Sequence, residues 1–364
     1  MTGDDSTPDV ADAPSGADGE PAGGSEKPQA EKKRGRLLRR VLVAAVLLPL
    51  LAVLLAAATF LYGLYRFDAP GPQNAPEIVM LDPGMSLRAI ATRLDQAHII
   101  SDPFIFRAGV RLNRADGDLK AGEYEIPAHA SMAAIMGILV EGRSILHRIT
   151  IPEGLTSEQA MQLVEANTVL VGDMPAMPPE GSLLPETYSF TRGVTRKEIV
   201  ADMRQAATSL MDELWAGRAK NLPFKTRDEA IILASIVEKE TGLPAERPRI
   251  AAVFVNRLRK PMRLQSDPTI IYGLVGGKGA LGRPIRRSEL DRATPYNTYF
   301  IDGLPPTPIC NPGRASIEAV LNPPETDELY FVADGTGGHA FSRTLREHER
   351  RVREWRRVER GKPR

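Results

Sequence analysis

From Val41 to Tyr65 the chain reads VLVAAVLLPLLAVLLAAATFLYGLY, 25 residues without a charge. In a helix, at about 1.5 Å per residue, such a run easily crosses a hydrocarbon core about 30 Å thick. Pro49 can kink it, which a membrane helix tolerates, and Tyr62 and Tyr65 sit where an aromatic belt forms. The run is too long for the core of a typical cleaved signal, and a leader of 40 residues is unusual, so a retained anchor is expected. Lys32, Lys33, Arg34, Arg36, Arg39 and Arg40 flank it on the N-terminal side. That asymmetry keeps the N-terminus in the cytoplasm and puts everything after Arg66 on the periplasmic or extracellular side of a single-pass inner membrane anchor. Residues 1–31 hold eight acidic groups and one lysine among many Gly, Pro, Ala and Ser, a composition expected to be disordered.

The rest of the composition excludes more than it suggests. The chain has 364 residues, room for two or three modest domains, and a net charge of +1, so no global field points to nucleic acid. Its single cysteine, Cys310, permits no intramolecular disulfide and reads as a small buried hydrophobe. The five histidines, His98, His129, His147, His339 and His348, show no H-x-x-x-H spacing, so no metal site is expected. ATP and nicotinamide cofactors are scarce outside the membrane, and GGKG at 276–279 lacks P-loop spacing; no cofactor is expected.

Beyond a Pro/Gly linker at 66–76, one phrase recurs: a short alternating strand, a Pro-containing turn, Ser or Thr, then an amphipathic helix. It is read at EIVMLDPGMSLRAIATRLD, at HRITIPEGLTSEQAMQLVEAN, and more loosely at GEYEIPAHASMAAIMGILVEG. Small α+β units of a carbohydrate-binding style fit this pattern, and so does ordinary βα structure recurring by chance. Further on, Ile199, Met203, Ala206, Leu210 and Leu214 mark a helix, and a C-terminal hairpin turning at Gly335–Gly338 leads into another.

Thr226 with Glu229 three residues on forms a capping box, and Gly242 and Pro244 end the helix it starts. On a wheel, Ala230, Leu233, Ile236 and Val237 define its buried face. Glu240 points into the middle of that face, in the last turn, whereas Glu238 lies round towards Ser235 and Lys239, as a rim carboxylate or a supporting group. Two roles suit Glu240. It could be a buried partner of Arg247, Arg257 or Arg263. Equally, burial and the negative helix end would raise its pKa, which is what a general acid working near neutral pH needs.

Downstream, MRLQSDPTIIYGL clusters Gln265, Ser266, Asp267 and Thr269 around Pro268, close to Tyr272. The stretch ATPYNTYFIDGLPPTPICNPG then packs Tyr296, Asn297, Thr298 and Tyr299 against a Pro/Gly-rich loop. Aromatic faces with amides and hydroxyls suit a sugar cleft; structured loops over a core use them too.

These residues carry a family resemblance. ILASIVEKETGLPAERPRIAAVFVNRLRKPMRLQSDPTIIYGL closely resembles the signature of the YceG-like endolytic murein transglycosylases. LPETYSF (which holds Glu186 and Tyr188), YNTYFIDGLPPTPICNPG and YFVADGTGGHAFS resemble that family's other motifs, in the same order. The resemblance covers about residues 77–350, and Thr307 and Cys310 replace small residues of the family pattern.

With the segments already read, the expected α+β organisation is a tail and basic flank at 1–40, a membrane helix at 41–65 and a linker, then, as the resemblance implies, a LysM-like peptidoglycan-binding region at 77–160 and a mixed α/β catalytic domain at 161–350, with the catalytic Glu on a helix, and last a basic C-terminal tail at 351–364. It implies cleavage of the β-1,4 bond between N-acetylmuramic acid and N-acetylglucosamine in peptidoglycan glycan strands, without water, leaving 1,6-anhydromuramyl ends. Termination of nascent strands and partnership with cell-wall synthases are implied with it. The catalytic glutamate maps onto Glu240, and Glu240-Thr241 resembles the Glu-Ser pair of other lytic transglycosylases. Glu186, Glu246 and Asp267 become positioning groups rather than a second catalytic carboxylate. Gln265, Thr269, Tyr272, Tyr296 and Asn297 become cleft contacts, and Glu238, Thr241 and Tyr188 supports. The alternatives are a lysozyme-like hydrolase on the same strands and a non-catalytic peptidoglycan-binding scaffold.

Overall fold

The computed structural model describes residues 28–361, so residues 1–27 of the acidic tail lie outside the described residues. Among the described residues, those up to Ala69 and those from Pro70 onward form two compact units. The first contains α1 (Pro28–Asp68), a 41-residue helix. It overruns the apolar stretch at both ends, at the N-terminal side through a flank rich in Lys and Arg, which are good helix formers, and it stops just before Pro70. Its segment Leu38–Asp68 is long and apolar enough to cross a membrane, and its large side chains are exposed along the apolar run.

The second unit begins with β1 (Glu77–Leu81), α2 (Leu87–Gln96), α3 (Pro103–Leu112) and β2 (Gly122–Ile126). β1 and β2 pair antiparallel, Glu77 opposite Ile126 and Leu81 opposite Gly122, with the two helices between them in sequence. Next come α4 (Met132–Glu141), β3 (His147–Thr150), α5 (Ser157–Ala166) and β4 (Thr187–Phe190), and β3 pairs antiparallel with β4. Glu123 on β2 ties the first sheet to the second, accepting from His147 Nε2 at 2.6 Å and from Arg192 Nε at 3.0 Å.

The recurring phrase is a recurring structure. Ser86, Ser131 and Thr156 each cap a helix from nearly the same extended backbone, φ −71°, −68° and −71°, and each accepts the N–H three residues on. Two residues before each cap the chain takes a positive φ: 81° at Gly84, 57° at His129, 74° at Gly154. A histidine thus does at the second turn what glycine does at the others, which obscures the repeat in sequence. Leu81, Ile126 and Ile151 are buried before each turn, and Ile90, Ile135 and Ala160 four residues past each cap.

The remainder is largely helical: α6 (Arg196–Ala216), α7 (Arg227–Glu240), α8 (Arg247–Arg259), α9 (Asp267–Val275), α10 (Arg287–Leu290) and α11 (Arg314–Leu321). The hairpin β5 (Tyr330–Ala333) and β6 (His339–Ser342) follows, then α12 (Leu345–Gly361). The described residues contain three two-stranded antiparallel sheets and no larger one, so the mixed helix and strand content of this region takes the form of a helical core with a hairpin. One core gathers Ile149, Met161, Phe190, Ile199 and Met203 from β3, α5, β4 and α6, with Ile151 just past β3. The other gathers Leu233, Ile236, Val237, Ile250, Phe254 and Val320 from α7, α8 and α11. Residue 160 falls inside α5 and residue 350 inside α12, so neither is a structural boundary.

Candidate active site

The capping box of α7 is present: Thr226 Oγ1 accepts from Glu229 N, and the Glu229 carboxylate accepts from Thr226 N at 2.9 Å. The helix ends at Glu240 because Thr241 turns extended, with φ −142° and ψ 134°. Thr241 is buried, and its Oγ1 accepts from Leu243 N at 3.0 Å, so it shapes the helix exit.

α7 is wrapped nearly all round: Ala230 and every residue from Ile232 to Val237 are buried. The two-faced wheel therefore misplaces Glu238. Its side chain is 6% exposed and lies 3.4 Å from Arg247 Nη2, itself 3.6 Å from Glu153. Gly313 N donates to Glu238 Oε2 at 3.0 Å. Glu238 is a buried structural carboxylate rather than a rim group. It joins α7, α8 and the loop before α11, and it takes Arg247 away from Glu240.

Glu240 faces a cleft of about 420 Å³ lined by Arg257, Gln265, Asp267, Tyr299, Phe331, Val332, His348 and Val352. As a residue it is only half-buried, yet protein encloses its carboxyl closely enough for desolvation to dominate. Burial raises its pKa to about 7, with a further push from the Asp267 charge. A hydrogen bond from Ser266 Oγ to Glu240 Oε1, at 2.5 Å, and the charges of His339 and Arg257 pull the other way. This carboxyl holds its proton near neutrality and has a donor in place for the moment it loses it.

Two loops hold the cleft's polar wall. Gln265 sits at φ 51°, a strained backbone for a side-chain-bearing residue. It is pinned there because Gln265 N donates to Thr298 O at 3.1 Å and Ser266 N to Thr298 Oγ1 at 2.9 Å. Tyr299 Oη donates to Asp267 Oδ1 at 2.7 Å. Asn297 is wholly buried and organises the second loop. Its Nδ2 donates to Leu290 O at 2.9 Å and Arg292 O at 2.7 Å, and its Oδ1 accepts from Tyr299 N at 3.0 Å. Asn297→Ala is expected to cost about 2–4 kcal/mol through these orphaned groups, seen as a lowered midpoint in chemical denaturation.

Glu246, expected to position groups in the site, meets a histidine of the terminal hairpin, His339. A carboxylate only accepts, so His339 Nδ1–H donates to Glu246 Oε2 at 2.7 Å while His339 N donates to Oε1 at 2.8 Å. The approach depends on Gly338, where a Cβ would lie 2.6 Å from Glu246 Oε1. Glu246 thus fixes a histidine whose charge reaches Glu240.

Of the residues singled out in sequence, Glu240, Gln265 and Asp267 line this cleft. Thr269 is wholly buried, bonded to Ser266 O at 2.7 Å and Thr298 Oγ1 at 2.9 Å. Tyr272 and Tyr296 form an aromatic pair with centroids 5.0 Å apart, outside this cleft. Glu186 is exposed beside β4, and Tyr188 Oη donates to Leu184 O at 2.7 Å within the neighbouring core. Of the three arginines weighed as partners for Glu240, only Arg257 lines its cleft; Arg263 pairs with Asp302. Sequence reasoning missed the roles of Ser266, Tyr299 and α12. Ser266 and Tyr299 lay within polar clusters already noticed, but no spacing rule separates the cleft-facing members from the buried ones.

A family model described as the YceG-like family matches residues 79–354. A Bacillus subtilis (strain 168) protein named endolytic murein transglycosylase is 29% identical over 329 residues, spanning 82% of this chain and 90% of its own. A protein of the same name from Streptococcus pneumoniae serotype 2 is 30% identical over 357 residues, spanning 84% of this chain and 63% of its own. A solved yceG-like protein from Listeria monocytogenes is 31% identical, covers 76% of this chain and 98% of its own, and superposes with a TM-score of 0.47.

Proposed function

The chain belongs to the YceG-like family, and from that premise we propose that it is a lytic transglycosylase cleaving peptidoglycan glycan strands with Glu240 as its acid and base. The observation that carries this reading is one carboxyl, in a cleft, with its pKa raised to about 7. Protonated Glu240 donates to the oxygen linking N-acetylmuramic acid C1 to the next N-acetylglucosamine, and the C1–O bond breaks as oxocarbenium character develops. The muramyl C6 hydroxyl then closes on C1 and gives its proton to the Glu240 carboxylate. The acid is regenerated, no water is consumed, and a 1,6-anhydro end is left. Ser266 and the charges of Arg257 and His339 stabilise the carboxylate between the two transfers.

Asp267 lines the same cleft, which favours one second reading, a muramidase that uses it as the second carboxylate. Mass spectrometry of digested strands decides. Anhydromuramyl ends support the transglycosylase, reducing ends overturn it for the muramidase, and no cleavage overturns both in favour of a binding scaffold.

The remaining parts fit one arrangement. Leu38–Asp68 anchors the chain in the cytoplasmic membrane, with Arg39 and Arg40 on the cytoplasmic side and the catalytic region outside. The β1-α2-α3-β2 unit and the turns after it are a LysM-like region gripping the strand. Placed beside a synthase, such an enzyme terminates strand growth.

The pH dependence follows from the sign of the Glu240 shift. The acid form is required, so turnover falls as pH rises through about 7. Ser266→Ala removes a bond that favours the carboxylate, so the alkaline limb of the pH–rate profile is expected to move upward, by about one pH unit or less.

A further inference from the structure

A second, more enclosed pocket of about 330 Å³ adjoins the catalytic cleft along the chain. It touches the first through consecutive residues: Lys239 lines it where Glu240 lines the cleft, and Pro268 where Asp267 does. A strand held across the end of α7 and the start of α9 therefore reaches both. The glycine-rich segment at 277–281 and the start of α5 close its sides.

The pocket's chemistry is selective. Its walls are mainly apolar, with Leu155, Ile271, Val275, Leu281 and Ile309. Most of its polar atoms are already satisfied within the protein. Thr156 Oγ1 donates to Gly277 O at 2.6 Å, and Tyr272 Oη donates to Glu180 at 3.2 Å. Gln159 Oε1 accepts from Thr156 N at 3.0 Å, which leaves its Nε2 to donate elsewhere. Lys239 Nζ donates to Gly154 O at 3.2 Å and keeps its remaining N–H groups and its charge. The side chains with hydrogen-bonding groups to spare, Lys239 and Gln159, offer N–H donors, one of them cationic, on an apolar floor.

A sugar ring suits such a pocket poorly, since its hydroxyls would lose their partners in water. Small aliphatic side chains with a carboxylate suit it well. Resting on the proposed activity, we infer that this pocket takes the peptide substituent of the muramyl residue: its small side chains go against Ile271 and Val275, and a carboxylate goes to Lys239 and Gln159. The acid at Glu240 and the donors at Lys239 and Gln159 then read two parts of one substrate, the bond and the substituent beside it.

The test uses the full chain in detergent and two substrates, glycan strands bearing their peptides and the same strands stripped by an amidase. Wild type is expected to show kcat/KM about tenfold or more higher on the peptide-bearing strands, as a hydrogen bond to a charged group implies. In Lys239→Met, and independently in Gln159→Leu, that ratio is expected to fall towards one; because it compares two substrates on the same folded variant, a shifted thermal midpoint does not enter it. A wild-type ratio near one, or a ratio unmoved in both variants, overturns the inference and leaves the transglycosylase standing. Cleavage of neither substrate by wild type overturns the activity and this inference with it.

Discussion

Glu240→Gln is expected to lose cleavage by about 10³–10⁴-fold or more, because one group serves as acid and then as base. The fold should survive and gain stability at alkaline pH. The folded-state pKa is raised from 4.5 to about 7, so wild type has its full stability below the ordinary value. It loses stability as pH climbs towards about 7, because only the unfolded chain ionises freely in that window. The amide never ionises. Its advantage should be absent near pH 4 and should reach about 3 kcal/mol at most above pH 7, by linkage. Urea titrations at both pH values, beside a strand-cleavage assay, check this. An active variant, or one whose stability relative to wild type is the same at both pH values, removes Glu240 from the role assigned to it.

Glu238→Ala should do the reverse. It strips the buried Arg247 of its nearest carboxylate and leaves Gly313 N without its acceptor. Breaking a buried ion pair from one side costs about 3–5 kcal/mol, a large share of a typical domain's stability. The expected phenotype is a sharply lowered thermal midpoint, with activity lost by unfolding and partly recovered at low temperature. Should the midpoint stay put while turnover collapses, Glu238 belongs to the chemistry instead. Two glutamates two positions apart thus separate cleanly, one tested by rate and the other by stability.

Much of this was legible from residues alone. The apolar run, the capping box at Thr226 and the terminal hairpin are local signals, and each predicted element exists where its cap or turn stands. The placement of Glu240 followed from helical period. The same wheel failed for Glu238 because it assumes one buried face, whereas α8, α11 and the loop around Gly313 enclose α7 on several sides. α9 was invisible because Pro268 and Gly273 mask its period. Tyr272, Tyr296, Thr269 and Asn297 have the composition of a sugar cleft, yet the last two spend their polar atoms inside the protein. Composition names the kinds of atom present; only the hydrogen-bond partners show which remain available.

The third of the repeated turns has a practical consequence for anyone wishing to exchange parts of this molecule. Gly154 N donates to Asn311 O at 3.1 Å, Gly154 O accepts from Lys239, and Thr156 holds the glycine-rich segment. A graft that swaps residues 77–160 as a cassette would carry away three fasteners of the region that holds the acid. A transplant ending near Arg143, before β3, would spare them. The apparent accessory module is, at its last turn, part of the machine's chassis.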